Sequence, residues 1–140
     1  MSINKYALIV ILLLGVLLGG YVLRLLRTNS SGVVPETGIT VEITVYAKKD
    51  NWRWEPENIK LEAGDRIKMT VINEDEYDHG IAIDGYGINQ RTPANAKITF
   101  EFLASRRGRF SFYCSVPCGK GIVEGEERGH FDMVGFIDVE

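Results

Sequence analysis

The chain has 140 residues, including only two cysteines and two histidines, and a formal net charge of −3 at pH 7. The sequence has no third histidine, no Gly-x-Ser-x-Gly motif and no phosphate-binding glycine loop, which argues against an independent hydrolase or nucleotide-dependent enzyme. Three of the basic residues lie in the N-terminal segment, so the rest of the chain carries a formal charge of −6. Such an acidic domain is a poor candidate for nucleic-acid binding and a suitable partner for basic proteins.

Residues 1–27 predict a membrane anchor. Residues 6–23 form a run of 18 residues without a charge, and a helix of that length spans roughly 27 Å, close to the hydrocarbon thickness of a bilayer. A cleaved signal peptide would normally have a shorter apolar core and a small-x-small site, whereas Arg24-Leu-Leu-Arg27 follows here. We therefore expect an uncleaved single span, followed by a polar linker over residues 28–37.

Residues 38–140 predict a single β domain. Apolar and polar residues alternate with period two in several short segments, which is the pattern of strands with one face in a core. These segments are residues 41–45, 67–71, 98–102, 110–113 and 134–139. Glycine-containing turn signals separate the segments, and no stretch after the anchor has helical periodicity. The pattern indicates an all-β sandwich or barrel.

Sulfur and imidazole side chains are concentrated near the C-terminus. Cys114, Cys118, His130 and Met133 lie within 20 residues of one another, and His79 lies upstream. Soft sulfur combined with imidazole is the ligand set that selects copper over hard cations. All of these residues fall at predicted strand ends or in loops, where a rigid sandwich presents functional groups. A metal site is therefore expected where these loops meet.

Three interpretations of the cysteine pair follow from the residues alone. The two cysteines could form a disulfide, which is common outside the cytoplasm. One of them could instead serve a mononuclear copper site with both histidines and Met133. The third interpretation is a site that uses both sulfurs. The spacing of His130 and Met133 favours metal over a disulfide, although Met133 alone would more often be a core residue.

The order of these residues matches a known pattern, Cys-x3-Cys-x3-His-x2-Met, preceded by a histidine that follows an acidic residue. The matching segments are Asp78-His79-Gly80, Cys114-Ser-Val-Pro-Cys118 and His130-Phe-Asp-Met133. With them, residues 41–140 resemble the cupredoxin domain of cytochrome c oxidase subunit II, which carries the binuclear copper centre CuA. The resemblance implies a Greek-key cupredoxin β-sandwich with one N-terminal transmembrane helix.

The resemblance also implies a role for each site residue. Cys114 and Cys118 would bridge two copper ions, and His79 and His130 would each bind one of them. Met133 and the backbone carbonyl of Val116 would be weak axial ligands. Trp52 would correspond to the aromatic residue near the surface where the electron enters. An acidic run beside His79 is expected either to be a solvated turn or to dock a basic cytochrome; it consists of Glu74, Asp75, Glu76 and Asp78.

The sequence departs from the family pattern between Cys118 and His130. Eleven residues separate them where the family has three, and the eight residues from Ile122 to Gly129 are the extra segment. Long insertions cost little closure entropy, since each doubling of loop length adds only about 0.6 kcal/mol. We therefore expect a solvated excursion that returns His130 to the site.

The resemblance implies an electron-transfer subunit with no catalysis of its own. It would accept electrons from cytochrome c or a small copper protein and pass them to haem in the catalytic subunit of a haem–copper oxidase or a related nitric oxide reductase. The alternative is a membrane-anchored mononuclear cupredoxin or copper-delivery protein. Thiolate–copper chemistry and the resemblance both place the domain on the periplasmic side of the cell membrane.

Overall fold

The computed structural model describes residues 4–28 and 32–140. The chain divides into two compact units, Met1–Val33 and Val34–Glu140. The first unit contains the helix α1, Lys5–Thr28. Among the residues described, no helix has the length and hydropathy that crossing a bilayer requires. The helix expected over residues 6–23 is thus present, whereas its membrane-spanning character finds no support in that result. Linker residues 29–31 and the side chains of Arg24 and Arg27 lie outside the described part.

The second unit is built of short strands, as the alternation predicts. Its strands in the described part are β1 (Thr40–Ala47), β2 (Trp54–Glu55), β3 (Asn58–Leu61), β4 (Arg66–Asn73), β5 (His79–Ile83), β6 (Ile88–Thr92), β7 (Lys97–Leu103), β8 (Gly108–Cys114), β9 (Lys120–Val123), β10 (Glu126–Gly129) and β11 (Val134–Val139). Two single turns of 3₁₀ helix, Asp84–Tyr86 and His130–Asp132, connect strands.

The strands form two larger sheets and one separate hairpin. The first sheet has the order β2-β1-β4-β7, the second has the order β3-β11-β8-β5-β6, and β9 pairs only with β10. The pairs β1–β4 and β11–β3 are parallel, and the other pairs are antiparallel. The two larger sheets therefore supply a sandwich, and the hairpin is an addition to it.

A single apolar core joins the two larger sheets. Ile67 and Val71 on β4 are fully buried in the same cluster as Ile81 on β5, Phe112 on β8 and Ile137 on β11. The strand β4 shows the expected alternation most clearly, because every second residue is buried and the others are half-buried. The all-β prediction is confirmed, and each side chain of this kind that leaves water stabilises the fold by about 1.5–3 kcal/mol.

The strands that periodicity misses include the buried strand β5 and three largely exposed strands. The strand β6 is mostly exposed and has no apolar alternation, and it exists because its backbone pairs with that of β5. The strands β9 and β10 are also largely exposed and pair only with each other. Apolar periodicity reports burial, so it cannot detect a strand that is held by backbone hydrogen bonds at an edge.

Candidate metal site

The site residues lie at one end of the second sheet because of its topology. The strand β5 begins at His79, β8 ends at Cys114, and β11 begins directly after Met133. Since β8 runs antiparallel to both β5 and β11, the end of β8 lies beside the beginnings of its two neighbours. Ile81 pairs with Cys114 in this register. The sheet thus brings three distant parts of the chain to one edge.

Each cysteine sulfur has an imidazole nitrogen beside it. Cys114 Sγ lies 3.7 Å from His79 Nδ1, and Cys118 Sγ lies 3.8 Å from His130 Nδ1. The two sulfurs are 3.8 Å apart and not joined, so the disulfide interpretation is not the one the structure adopts. Met133 Sδ lies 3.6 Å from Cys118 Sγ. The carbonyl oxygen of Val116 lies 3.1 Å from Cys114 Sγ, on the other half of the site.

The donor atoms therefore form two halves of a site rather than a single cluster around one point. One half contains His79, Cys114 and the Val116 carbonyl; the other contains Cys118, His130 and Met133. The donor atoms of His79, Cys114 and Cys118 all lie within 4.8 Å of one another, and His130 is not part of that group. Two thiols, two imidazoles, a thioether and a carbonyl are a donor set that fits copper. The site thus has one imidazole nitrogen beside each of its two sulfurs.

The cysteines are arranged to give up one proton easily. The hydrogen bond with Cys118 lowers the pKa of Cys114 to about 3, burial opposes that shift, and the hydrogen bond with His79 adds to it. The same contact with Cys114 raises the pKa of Cys118, and burial acts in the same direction. Both thiols are buried. The pair thus holds one proton, and binding of a metal by both sulfurs would release it because metal ligation requires thiolates.

Asp75 lies behind His79 and is not a surface residue. Its side chain is 1% exposed, and its Oδ2 lies 3.4 Å from His79 Nε2, on the ring edge opposite the site. Burial lowers the pKa of His79, but the contacts with Cys114 and Asp75 outweigh it, so that the pKa is raised overall. Carboxylates in this position orient metal-ligating histidines. The prediction that Asp75 belongs to a docking surface is therefore wrong for that residue.

The buried side chain of Asn73 turns Asp75 inward. Its amide nitrogen donates to the carbonyl oxygens of Tyr77, Thr92 and Pro93, and its amide oxygen accepts a hydrogen bond from the backbone of Asp75. These bonds fix the turn between β4 and β5. The sequence signal was available, because Asn73 falls on the inward-facing positions of an alternating strand, where a polar residue requires partners.

The remaining acidic residues of this run lie at the surface in ion pairs. Glu74 pairs with Lys48 at 3.2 Å, and Glu76 pairs with Lys49 at 3.0 Å. Asp78 binds the guanidinium of Arg91, which lowers the pKa of that carboxyl group. Exposed pairs of this kind contribute little to stability because solvent screens them. Because lysine and arginine side chains balance these negative charges, the acidic run attracts a basic partner less than its sequence suggests.

Asp75→Asn is expected to weaken copper binding about 10- to 100-fold, the usual cost of losing an outer-shell carboxylate. The asparagine has the same shape but lacks the charge that favours the His79 orientation. Copper affinity of the full chain, measured by competition with a chelator, checks this. Glu74→Gln is the control, because it neutralises a neighbouring carboxylate that faces Lys48 instead. Equal affinities for the two variants would show that Asp75 does not position His79.

Two tryptophans hold the backbone of the site. Trp54 Nε1 donates to the carbonyl oxygen of Met133 at 3.1 Å, and Trp52 Nε1 donates to the carbonyl oxygen of Cys118 at 3.1 Å. Both rings are buried, Trp52 with 5% exposure and Trp54 with 1%. The prediction for Trp52 assumed a residue near the surface. The structure places Trp52 in contact with the ligand loop, which fits a role next to the site. The Trp52 ring is, however, covered and not at the surface.

The extra segment forms a β-hairpin that closes on itself. Gly129 pairs with Lys120, and the backbone nitrogen of His130 donates to the carbonyl oxygen of Gly119 at 3.1 Å. A side-chain oxygen of Asp132 accepts a hydrogen bond from the Gly129 backbone and holds the following turn. The chain thus leaves the site after Gly119 and returns beside the same residue. This is the excursion that the sequence predicts, in a more ordered form.

Comparison with known proteins agrees with this geometry. The sequence pattern of the family described as Cupredoxin-like domain matches residues 16–123. The chain belongs to this cupredoxin-like family. The match includes Cys118 but ends before His130 and Met133, so the position of these two residues rests on the structure. The all-β sheets agree with this family, and the donor set above fits copper.

Solved cupredoxins share the fold at low sequence identity. A chain of a haem–copper terminal oxidase dimer solved by cryo-electron microscopy is 18% identical with a TM-score of 0.60, and the match covers 98% of this chain and 100% of that one. Auracyanin A, a "blue" copper protein of Chloroflexus aurantiacus, is 15% identical with a TM-score of 0.58, and the match covers 72% of this chain and 99% of that one. These likenesses concern the fold.

A sequence relative is similarly distant. The chloroplastic plastocyanin B of Populus nigra is 24% identical over 106 residues. The match covers 69% of this cupredoxin chain and 63% of plastocyanin B, so it spans less than two thirds of that relative's length.

Proposed function

We propose that this cupredoxin domain holds a binuclear copper centre and serves as the electron-accepting subunit II of a haem–copper oxidase. The main support for this proposal is the division of the donor atoms into two halves, each with its own sulfur and imidazole. A mononuclear centre would need both imidazoles and one sulfur to converge on a single metal ion. Two copper ions held by Cys114 and Cys118 would share one electron, so the bonds to these residues would change little on reduction.

The surrounding residues keep the ligands in place. Trp54 fixes the carbonyl of Met133 and Trp52 fixes that of Cys118, while Asp75 faces His79 from behind. Buried ligands held by packed neighbours suit rapid electron transfer, because rigid surroundings preorganise the site. Copper delivery, the alternative function, requires exposed ligands that exchange, and four of the five donor side chains here are buried.

Two further observations support the assignment to an oxidase. The fold match to the haem–copper oxidase chain covers the whole length of that chain. The acidic charge of the domain suits a basic donor such as cytochrome c, since complementary charge speeds encounter. In this proposal the terminal electron acceptor of the complex is oxygen. If the partner were a related nitric oxide reductase, the terminal acceptor would be nitric oxide.

The test is electron acceptance by the full copper-loaded chain. Metal analysis should give two copper ions per chain, with a purple colour and a spin signal shared over both ions, and a reduced c-type cytochrome should reduce it. One copper or one zinc per folded chain would refute the binuclear centre. Copper lost readily to a weak chelator would instead support delivery.

The location of the domain is also part of the proposal. We place it on the periplasmic side of the cell membrane because of the thiolate–copper chemistry and the resemblance, and we propose that the uncharged run over residues 6–23 anchors it there. The hydropathy of the described helices does not support a span, so this part depends on its own test. Recovery of the full chain in the alkaline-washed membrane fraction would support the anchor, and recovery in the soluble fraction would refute it.

Met133→Leu is expected to keep both copper ions and to shift the reduction potential. The thioether lies at the edge of the Cys118 half, and a weak axial ligand tunes the potential more than it holds the metal. Leucine has nearly the same volume, and such exchanges in a core usually cost less than about 1.5 kcal/mol. Copper analysis and voltammetry check the prediction. Complete loss of copper would mean that Met133 is an essential ligand.

A further inference from the structure

The hairpin formed by β9 and β10, residues 120–129, lies between Trp52 and the solvent. A Cβ atom at Gly121 would lie 2.4 Å from two carbon atoms of the Trp52 ring, so the backbone of β9 rests directly on that ring. The hairpin turns at Glu124 and Gly125, both with positive φ, which is the geometry of a tight two-residue β-turn. The contact therefore involves a regular element rather than a loose loop.

Trp52 is consequently closed to a docking protein. Its ring is 5% exposed, and its indole nitrogen is bound to the Cys118 carbonyl. Its backbone has φ of 44°, a conformation that bulky residues seldom adopt unless the surroundings hold it. Trp52 thus touches the ligand loop on one side and the hairpin on the other. An electron donor cannot reach its ring directly.

Tyr77 gives this buried ring a connection to the surface. The centroids of the two rings are 6.3 Å apart, and Tyr77 is 47% exposed. Its neighbours along the chain, Glu76 and Asp78, form ion pairs with Lys49 and Arg91. The exposed ring is therefore an apolar contact point within a charged but locally balanced rim. Tyr77, Trp52 and Cys118 form a continuous series from solvent to the site.

The domain offers a second exposed aromatic residue, which serves as the comparison. Phe131 is 90% exposed, and its ring centroid lies 5.0 Å from that of His130. Through His130 it leads to the same half of the site as Trp52, the half that contains Cys118. Tyr77 and Phe131 are thus two separate exposed aromatic residues. Tyr77 lies beside Trp52, which binds the Cys118 carbonyl, and Phe131 lies beside His130, whose ring nitrogen lies near the Cys118 sulfur.

We propose that the electron donor, a small redox protein with a basic surface, docks over Tyr77, and that Tyr77 replaces Trp52 as the surface residue where the electron enters. The proposal rests on the proposed function. The basic character of the donor follows from the formal charge of −6 on Val34–Glu140. One electron leaves the reduced donor and is received at the metal centre. No bond forms or breaks, no proton moves, and both aromatic rings remain in their resting oxidation state.

The experiment uses the full copper-loaded chain and a reduced, basic c-type cytochrome in stopped flow at low salt. Tyr77→Ala is expected to lower the second-order rate constant about tenfold, the size of effect seen when a central aromatic contact is truncated. Tyr77→Phe keeps the ring and should retain the rate. Phe131→Ala should change the rate far less than Tyr77→Ala. Reduction by a small inorganic complex and the copper spectrum should be unaffected in all three.

A deletion variant tests the role of the hairpin itself. Removal of the eight residues from Ile122 to Gly129 restores the three-residue spacing between Cys118 and His130. In the metal-free chain, acrylamide should then quench tryptophan fluorescence more strongly, because the pairing with β10 that holds Gly121 against the Trp52 ring is gone. In the loaded deletion variant, the effect of Tyr77→Ala should shrink, since the donor can reach Trp52 directly.

The outcomes separate this proposal from the proposed function. Equal rates for the original chain and Tyr77→Ala would overturn the proposal, and so would a larger loss in Phe131→Ala. Unchanged quenching in a folded, copper-binding deletion variant would also overturn it. Failure of the original chain to accept electrons from either the cytochrome or the small complex would instead refute the proposed function.

Discussion

Replacing Cys118 with serine is expected to abolish the binuclear copper signal and to leave at most one copper ion per chain. Serine preserves the shape of the side chain but removes a thiolate that would be shared by both metal ions. The remaining donors, Cys114 with His79 and the Val116 carbonyl, form only one half of the site. Copper analysis together with the absorption and spin-resonance spectra measures the result.

Cys114→Ser is the matched variant that makes this prediction decisive. If both sulfurs bridge, the two serine variants must each lose the shared signal, because neither half can hold two ions alone. A mononuclear centre built on one sulfur gives a different result, since one variant would lose its copper and the other would keep the original spectrum. Retention of the binuclear signal in either variant would contradict the bridge.

Gly80→Ala is expected to displace the ligand loop and to weaken copper binding together with stability. A Cβ atom at Gly80 would lie 2.4 Å from Ser115 Oγ and 2.8 Å from Val116 Cγ2, within the segment between the two cysteines. The Gly80 carbonyl also accepts the backbone hydrogen bond of Ser115 at 3.1 Å, so the segments cannot separate freely. Crowding of this kind costs about 1–3 kcal/mol. Thermal unfolding and copper affinity of the variant measure both effects.

A second substitution shows whether the crowding is the cause. Ser115→Ala removes the nearest atom and should partly rescue Gly80→Ala, while the contact with Val116 remains. Ser115→Ala alone and Gly32→Ala are the controls, because no atom lies within 4 Å of a Cβ at Gly32. Unchanged copper affinity and melting temperature in Gly80→Ala would show that the loop adapts without cost.

Local features of the sequence sufficed for most of the core strands and for the choice of candidate ligands. Soft and borderline donors are rare in this chain, so their type and order by themselves indicate copper. The strands β1, β4, β7, β8 and β11 each show an alternation of apolar residues. That alternation is visible in the sequence because one face of each strand is buried.

The partnerships within the site depended on contacts between distant residues. No local pattern indicates that Asp75 faces His79, since an acidic residue in a run of three usually belongs to a solvated turn. The turn fixed by Asn73 reverses that expectation. Similarly, no local pattern indicates that each of the two tryptophans binds a different carbonyl of the site.

The amino-acid sequence alone thus determined the all-β class and the chemical nature of the donors, because both follow from residue type and local periodicity. The tertiary structure decided which imidazole accompanies which sulfur, how residues 120–129 return the chain to Gly119, and that Trp52 is covered. These features arise from backbone pairing and close packing between segments far apart in the chain. Their energies depend on relative position in space, which no local pattern of residues encodes.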